Sequence, residues 1–82
     1  MTRRIDEMYA FVMVDPEDDT EGVIGFRSPQ GWMPMVGADL KRVESLKQVA
    51  QEMSDELGRP VTVLRFTVRE EIGTITPMKG TT

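Results

Sequence analysis

A chain of 82 residues, 39% hydrophobic and 29% charged, suits one small domain and is too apolar for a wholly disordered segment. It holds no cysteine and no histidine, which excludes a disulfide framework, a thiolate nucleophile and a zinc–thiolate centre, and removes the commonest general base. A net charge of −4 and a pI near 4.7 disfavour a general electrostatic grip on nucleic acid.

Met8 to Val14 is the longest apolar run, and its β-branched and aromatic content, ended by Asp15-Pro16, predicts a strand. Tyr9, Phe11 and Met13 share one face; Met8, Ala10, Val12 and Val14 share the other. Both sets are apolar, so the strand is expected at the centre of a sheet with both faces covered. The run is about a third of a bilayer span, and Asp6-Glu7 follow Arg3-Arg4 where a signal peptide would turn apolar. A cytoplasmic setting is therefore expected.

Asp15 to Thr20 is turn chemistry. A second strand is expected over Glu21–Arg27, with Gly22 and Gly25 leaving room for a bulge or a close approach. Ser28-Pro29-Gln30-Gly31 predicts a tight turn, and Trp32–Val36 a short third strand that Pro34 restricts to an edge. Then the period changes. Leu40, Val43, Leu46, Ala50, Met53 and Leu57, widened by Val49, form the apolar stripe of one amphipathic helix. Asp39 is its N-cap, Gly58 its stop, and Arg59-Pro60 prevents continuation. Val61–Glu70 alternates as a last strand, with Thr62, Leu64, Phe66 and Val68 on one face and Val61, Val63, Arg65, Thr67 and Arg69 on the other. Ile72–Pro77 is a short extended stretch, expected to pair at an edge or dock on a neighbour, and Met78–Thr82 a mobile tail.

The expected fold is α+β, with order β-β-β-α-β and one helix packed on one face of a mostly antiparallel sheet. A right-handed crossover would bring the last strand parallel to the first and beside it, in the order 3-2-1-4. Residues 1–7 form an arm, 8–72 the domain and 73–82 a tail. The helix covers one face only, so the other is expected to bury apolar residues of the first two strands, with Val61 and Val63, in a homo-oligomer formed through that face or an edge.

Few residues suggest chemistry. The acidic turn of Asp15, Glu17, Asp18, Asp19 and Glu21 lacks the Gly and Glu that an EF-hand loop needs at its sixth and twelfth positions, where Thr20 and Phe26 stand. No metal and no cofactor are expected. Gly22 and Gly25 do not make a phosphate-binding fingerprint, and Glu70-Glu71 are sequential, so their side chains diverge. Arg27, Arg65 and Arg69 could grip an anionic nucleotide if an oligomer gathered them, because a guanidinium captures phosphate in a bidentate fork. A solvated charged row is the simpler reading. Trp32, with Met33 and Met35, would form a protein-recognition surface if exposed and a core anchor if buried.

Val12-Met13-Val14-Asp15, Glu21-Gly22, Gly31-Trp32-Met33-Pro34-Met35 and Leu64–Glu70 together resemble short uncharacterised proteins of actinobacterial bacteriophages and their hosts, over residues 8–72. The resemblance implies a phage accessory protein that binds a host protein in the host cytoplasm, and it transfers no catalytic residue. Gly31-Trp32 between a meander and a helix is also similar to MbtH-like proteins. Here Val23-Ile24-Gly25-Phe26 replaces that family's Ser-Leu-Trp-Pro segment, and Val61–Glu70 has no counterpart in it, so activation of adenylating enzymes is not carried over. The expected function is that of a non-enzymatic binding protein; nucleotide sequestration is the alternative, and a small enzyme comes third.

Overall fold

The structure, a computed structural model, describes residues 3–78. Residues 1 and 2 of the expected arm and 79–82 of the expected tail lie outside the described residues. The fold is α+β: strands β1 (Met8–Asp15), β2 (Thr20–Val23), β3 (Gly25–Ser28), β4 (Gly31–Pro34) and β5 (Val36–Gly37), helix α1 (Leu40–Leu57) and strand β6 (Thr62–Phe66).

β1 is the central strand, as its apolar run predicts. One edge pairs with β6; the other pairs with β2 at residues 12–15 and with β5 at residues 9–10, all antiparallel. Between β2 and β5 the chain makes a detour, the separate two-stranded hairpin β3–β4. Three backbone hydrogen bonds close the junction where it leaves and returns. Ile24 N–H donates to Phe11 O (3.0 Å), Phe11 N–H to Met35 O (3.0 Å) and Met35 N–H to Ile24 O (2.9 Å).

That junction corrects the expected topology. Trp32–Val36 is not one strand: Met35 breaks it, leaving Trp32–Pro34 paired with β3 and Val36 paired with Ala10. The break reverses the chain once more than a simple meander does. β5 therefore enters the helix antiparallel to β1, and β6 returns antiparallel to β1 rather than parallel. The sheet runs β2/β5–β1–β6. The last strand is also shorter than expected, ending at Phe66 instead of Glu70.

The helix boundaries match the sequence reading because its caps are local. Asp39 has extended backbone (φ −151°, ψ 168°), and its carboxylate accepts from Arg42 N–H at 2.9 Å. Gly58 adopts the left-handed conformation (φ 65°) that a side chain resists, and its N–H donates to Ser54 O at 2.8 Å. The Ser54 hydroxyl donates to Arg59 O, fixing the exit. Only the middle of the apolar stripe is covered: Val43, Leu46 and Ala50 are buried, whereas Leu40 and Leu57, at the two ends, are exposed.

Directly facing residues of an antiparallel pair share a sheet face, so the register assigns every side chain. Tyr9 and Phe11 join Met35, Val43, Leu46 and Ala50 in the core beneath α1, with Ile24, Phe26, Val49, Met53 and Val61 around them. Phe11 faces Val63, and Tyr9 faces Arg65, so the odd-numbered side of β6 lies on the helix side. Val61 and Val63 thus line the helix flank and do not contribute to the bare face expected of them. The bare face carries Met8, Ala10, Val12 and Val14 with Val23, Val36, Leu64 and Phe66. Ala10 is closed in by Val36 and Leu64, and Val12 by Val23 and Thr62, so both are buried by neighbouring strands without a covering element. Met8, Val14, Val23 and Phe66 remain exposed.

Candidate functional site

The hairpin β3–β4 presents the chain's single tryptophan. Its turn is tight because Ser28 and Gly31 face each other across Pro29-Gln30, the Ser28 hydroxyl donates to Gly31 O (2.9 Å), and Gly31 takes a positive φ of 110°. Gly25 lies where an added Cβ would meet Met33 O at 3.1 Å, the close approach its sequence position suggests; at Gly22 an added Cβ would meet nothing. Phe26 packs back on the core, anchoring the hairpin. Trp32 faces Arg27 across the strands, with the guanidinium carbon 5.9 Å from the ring centroid.

Trp32 is 70% exposed. Of the two roles open to it, core anchor or surface, the structure places it at the surface. Met33 beside it is exposed as well, but Met35 is fully buried, wedged under α1 at the backbone junction, and offers no surface in this protomer. The alternation of a strand carrying Trp32-Met33-Pro34-Met35 could not reveal that split, because the break falls at Met35 itself.

The three arginines occupy different parts of the molecule. Arg27 belongs to the hairpin. Arg65 lies in β6 on the helix side and lines a shallow depression of about 470 Å³ with Tyr9, Leu40, Val43, Lys47 and Val63. Arg69 is three residues beyond the end of β6 and lines a separate depression of about 360 Å³ with Ile5, Met8, Phe66 and Val68, where Asp6, Glu7 and Glu70 also stand. The expected row along one strand face is thus interrupted where β6 stops.

Two carboxylates of the acidic turn, Asp15 and Asp18, accept hydrogen bonds from within the turn itself. Asp15 accepts from Glu17 N–H at 2.9 Å, and Asp18 accepts from Thr20 N–H at 3.1 Å and from the Thr20 hydroxyl at 2.6 Å. Asp19 takes a left-handed φ of 57° and donates its N–H to Asp15 O. The two bonds from Thr20 favour the ionised Asp18 and hold its pKa below its ordinary value of 3.8. Among the described residues no group of acidic side chains is arranged to hold a metal ion, and no helix is long and apolar enough to cross a membrane.

A second surface lies after β6. Beyond Phe66 the chain continues through Val68, Ile72 and Ile75, each at least 92% exposed, with every residue from 67 to 78 exposed. The sequence reading expected Ile72–Pro77 to pair at an edge or dock on a neighbour, and within the described residues it pairs with no strand. In comparisons with known proteins, no family model, no curated protein and no solved structure matches the chain.

Proposed function

We propose that this protein is a non-enzymatic binding protein that engages a protein partner through the outer face of the β3–β4 hairpin. The observation that carries the reading is Trp32, a large aromatic side chain 70% exposed on a hairpin anchored by Phe26, with the Arg27 guanidinium over its ring. Tryptophan and arginine dominate the energetics of protein interfaces, and a rigid hairpin loses little entropy when it docks. Met33 pairs with Phe26 and lies on the opposite side of the hairpin, so the docking face rests on Trp32 and Arg27. The partner class proposed, a host protein, is what the resemblance to short actinobacteriophage proteins implies.

The test uses the single tryptophan as its own reporter. Trp32 emission should be red-shifted and readily quenched by iodide in the free protein, then shift to the blue and become protected on addition of actinobacterial lysate fractions. Immobilised wild type should retain a stoichiometric protein that Trp32→Ala loses, while circular dichroism of the variant stays unchanged. Retention unaffected by Trp32→Ala overturns the hairpin reading. Release of a nucleotide on denaturation of the wild type, and not of Arg65→Ala, would favour sequestration through Arg27, Arg65 and Arg69 instead.

A further inference from the structure

The strand β6 uses only one of its two edges. It pairs with β1, and among the described residues no strand takes its outer edge or pairs with residues 67–77 beyond it. A long, β-prone, unpaired edge is a template for another strand. Its sequence specifies which strand. If a second copy's β6 pairs with it antiparallel about a two-fold axis, the axis stands perpendicular to the sheet and both helices lie on one side. Facing residues must then come from the same sheet face, so paired residue numbers add to an even sum.

The charges choose among these registers. A sum of 130 sets Arg65 against itself, 134 sets Arg65 against Arg69, and 138 sets Arg69 against itself. Sums of 140 and 142 bring Glu70 or Glu71 against itself. A sum of 132 pairs no opposite charges. At 136, Arg65 faces Glu71 of the second copy, twice by symmetry, and no like charges face each other. The same register sets Val68 against its symmetry mate, Leu64 against Ile72, Val61 against Ile75 and Thr62 against Thr74. Of the four most exposed apolar side chains, three, Val68, Ile72 and Ile75, are paired with apolar neighbours; the fourth, Met78, lies beyond the paired stretch.

We infer that two copies of this chain form a symmetric dimer by antiparallel pairing of residues 61–75 about Val68, joining their sheets into one. The outer edge of β6 and the segment after it supply the backbone donors and acceptors. Arg65 and Glu71 set the register. The surface is separate from Trp32, so the dimer and the hairpin reading stand or fall independently.

The absence of cysteine gives a clean background for the test. Directly facing Cα atoms of an antiparallel pair are about 4.5–5.5 Å apart, within the 4.4–6.8 Å that a disulfide spans. Val68→Cys should therefore oxidise to a covalent dimer, whereas Phe66→Cys, self-paired only at a sum of 132, should not. Light scattering on the wild type should give twice the 9.3 kDa chain mass. Arg65→Glu and Glu71→Arg should each weaken dimerisation about tenfold or more, since each sets like charges opposite one another twice. The double swap, Arg65→Glu with Glu71→Arg, should restore it. A wild-type monomer up to the solubility limit overturns the dimer. Equal cross-linking of Val68→Cys and Phe66→Cys, or failure of the double swap to rescue while its circular dichroism stays native, overturns the register.

Discussion

β1 and β6 are neighbours in one sheet, both are rich in β-branched and aromatic residues, and they end up in opposite environments. Four consecutive residues of β1 are buried, while β6 holds no buried residue and Phe66 is half exposed. Composition does not separate them. Position does: β1 has strands on both edges and α1 above it, whereas among the described residues β6 has one neighbouring strand. A strand's burial is set by what the rest of the chain places around it, so equal apolar content can produce a core in one strand and an exposed surface in the next.

Truncation of one aromatic in each strand is the strongest test of that contrast. Phe11→Ala should cost about 3–5 kcal/mol, a large part of the roughly 4–12 kcal/mol expected for a domain of this size. Phe66→Ala should cost less than about 1 kcal/mol in the monomer, because most of the ring's burial is absent there. Urea denaturation at low protein concentration compares the two. Equal losses would mean that β6 is far better covered than its exposure indicates.

Two glycines sharpen the comparison at the edges. Gly37, in β5, is buried where an added Cβ would lie 2.6 Å from Arg42 Cγ and 2.8 Å from its Cβ, so Gly37→Ala should destabilise by about 1–3 kcal/mol. Arg42→Ala in the same chain should not relieve the clash with its Cβ, which alanine keeps, but Arg42→Gly should relieve most of it. Gly73 meets nothing within 4 Å, and Gly73→Ala should change stability by no more than about 0.5–1 kcal/mol, through the unfolded chain. Thermal melts of the variants distinguish a closed edge from an open one.

The smallest effect lies at the turn end of β1. Asp18 has its folded pKa lowered by the two Thr20 bonds, so it contributes stability above the ordinary carboxylate pKa of 3.8 and loses that contribution as pH falls through the depressed folded value. Asp18→Asn should flatten the acid limb of the stability–pH curve slightly and leave the neutral region nearly unchanged. A steeper acid limb in the variant would show that another carboxylate governs that end of the strand.

The parts legible in the sequence were those whose causes are local. Asp39, Gly58 and Pro60 end the helix by hydrogen bonds and backbone conformations within a few residues, so its limits could be read directly. The turn at Ser28–Gly31 and the central place of Met8–Val14 follow likewise from turn chemistry and from an apolar run without a polar face. Of the hairpin's candidate residues, Met33 and Met35 would share a face in an unbroken strand, yet Met33 is exposed and Met35 buried, because that depends on where the chain bends relative to β1.

Strand direction, the covered side of β6 and the exposure of Trp32 were decided by the tertiary structure alone. The bend at Met35 is stabilised by Phe11 and Ile24, each more than ten residues away in the chain, and no local pattern encodes a bond to a distant carbonyl. That one bend sets the parity of every later strand. Both sides of Val61–Val68 carry apolar residues, so only the register with β1, set by the helix's return, could determine which side α1 covers. The sequence alone determined that this chain folds as one helix on a small sheet, because hydrophobic period and capping act over neighbouring residues; which surfaces stay open was settled by long-range pairing, because burial belongs to the assembled sheet and not to any segment of it.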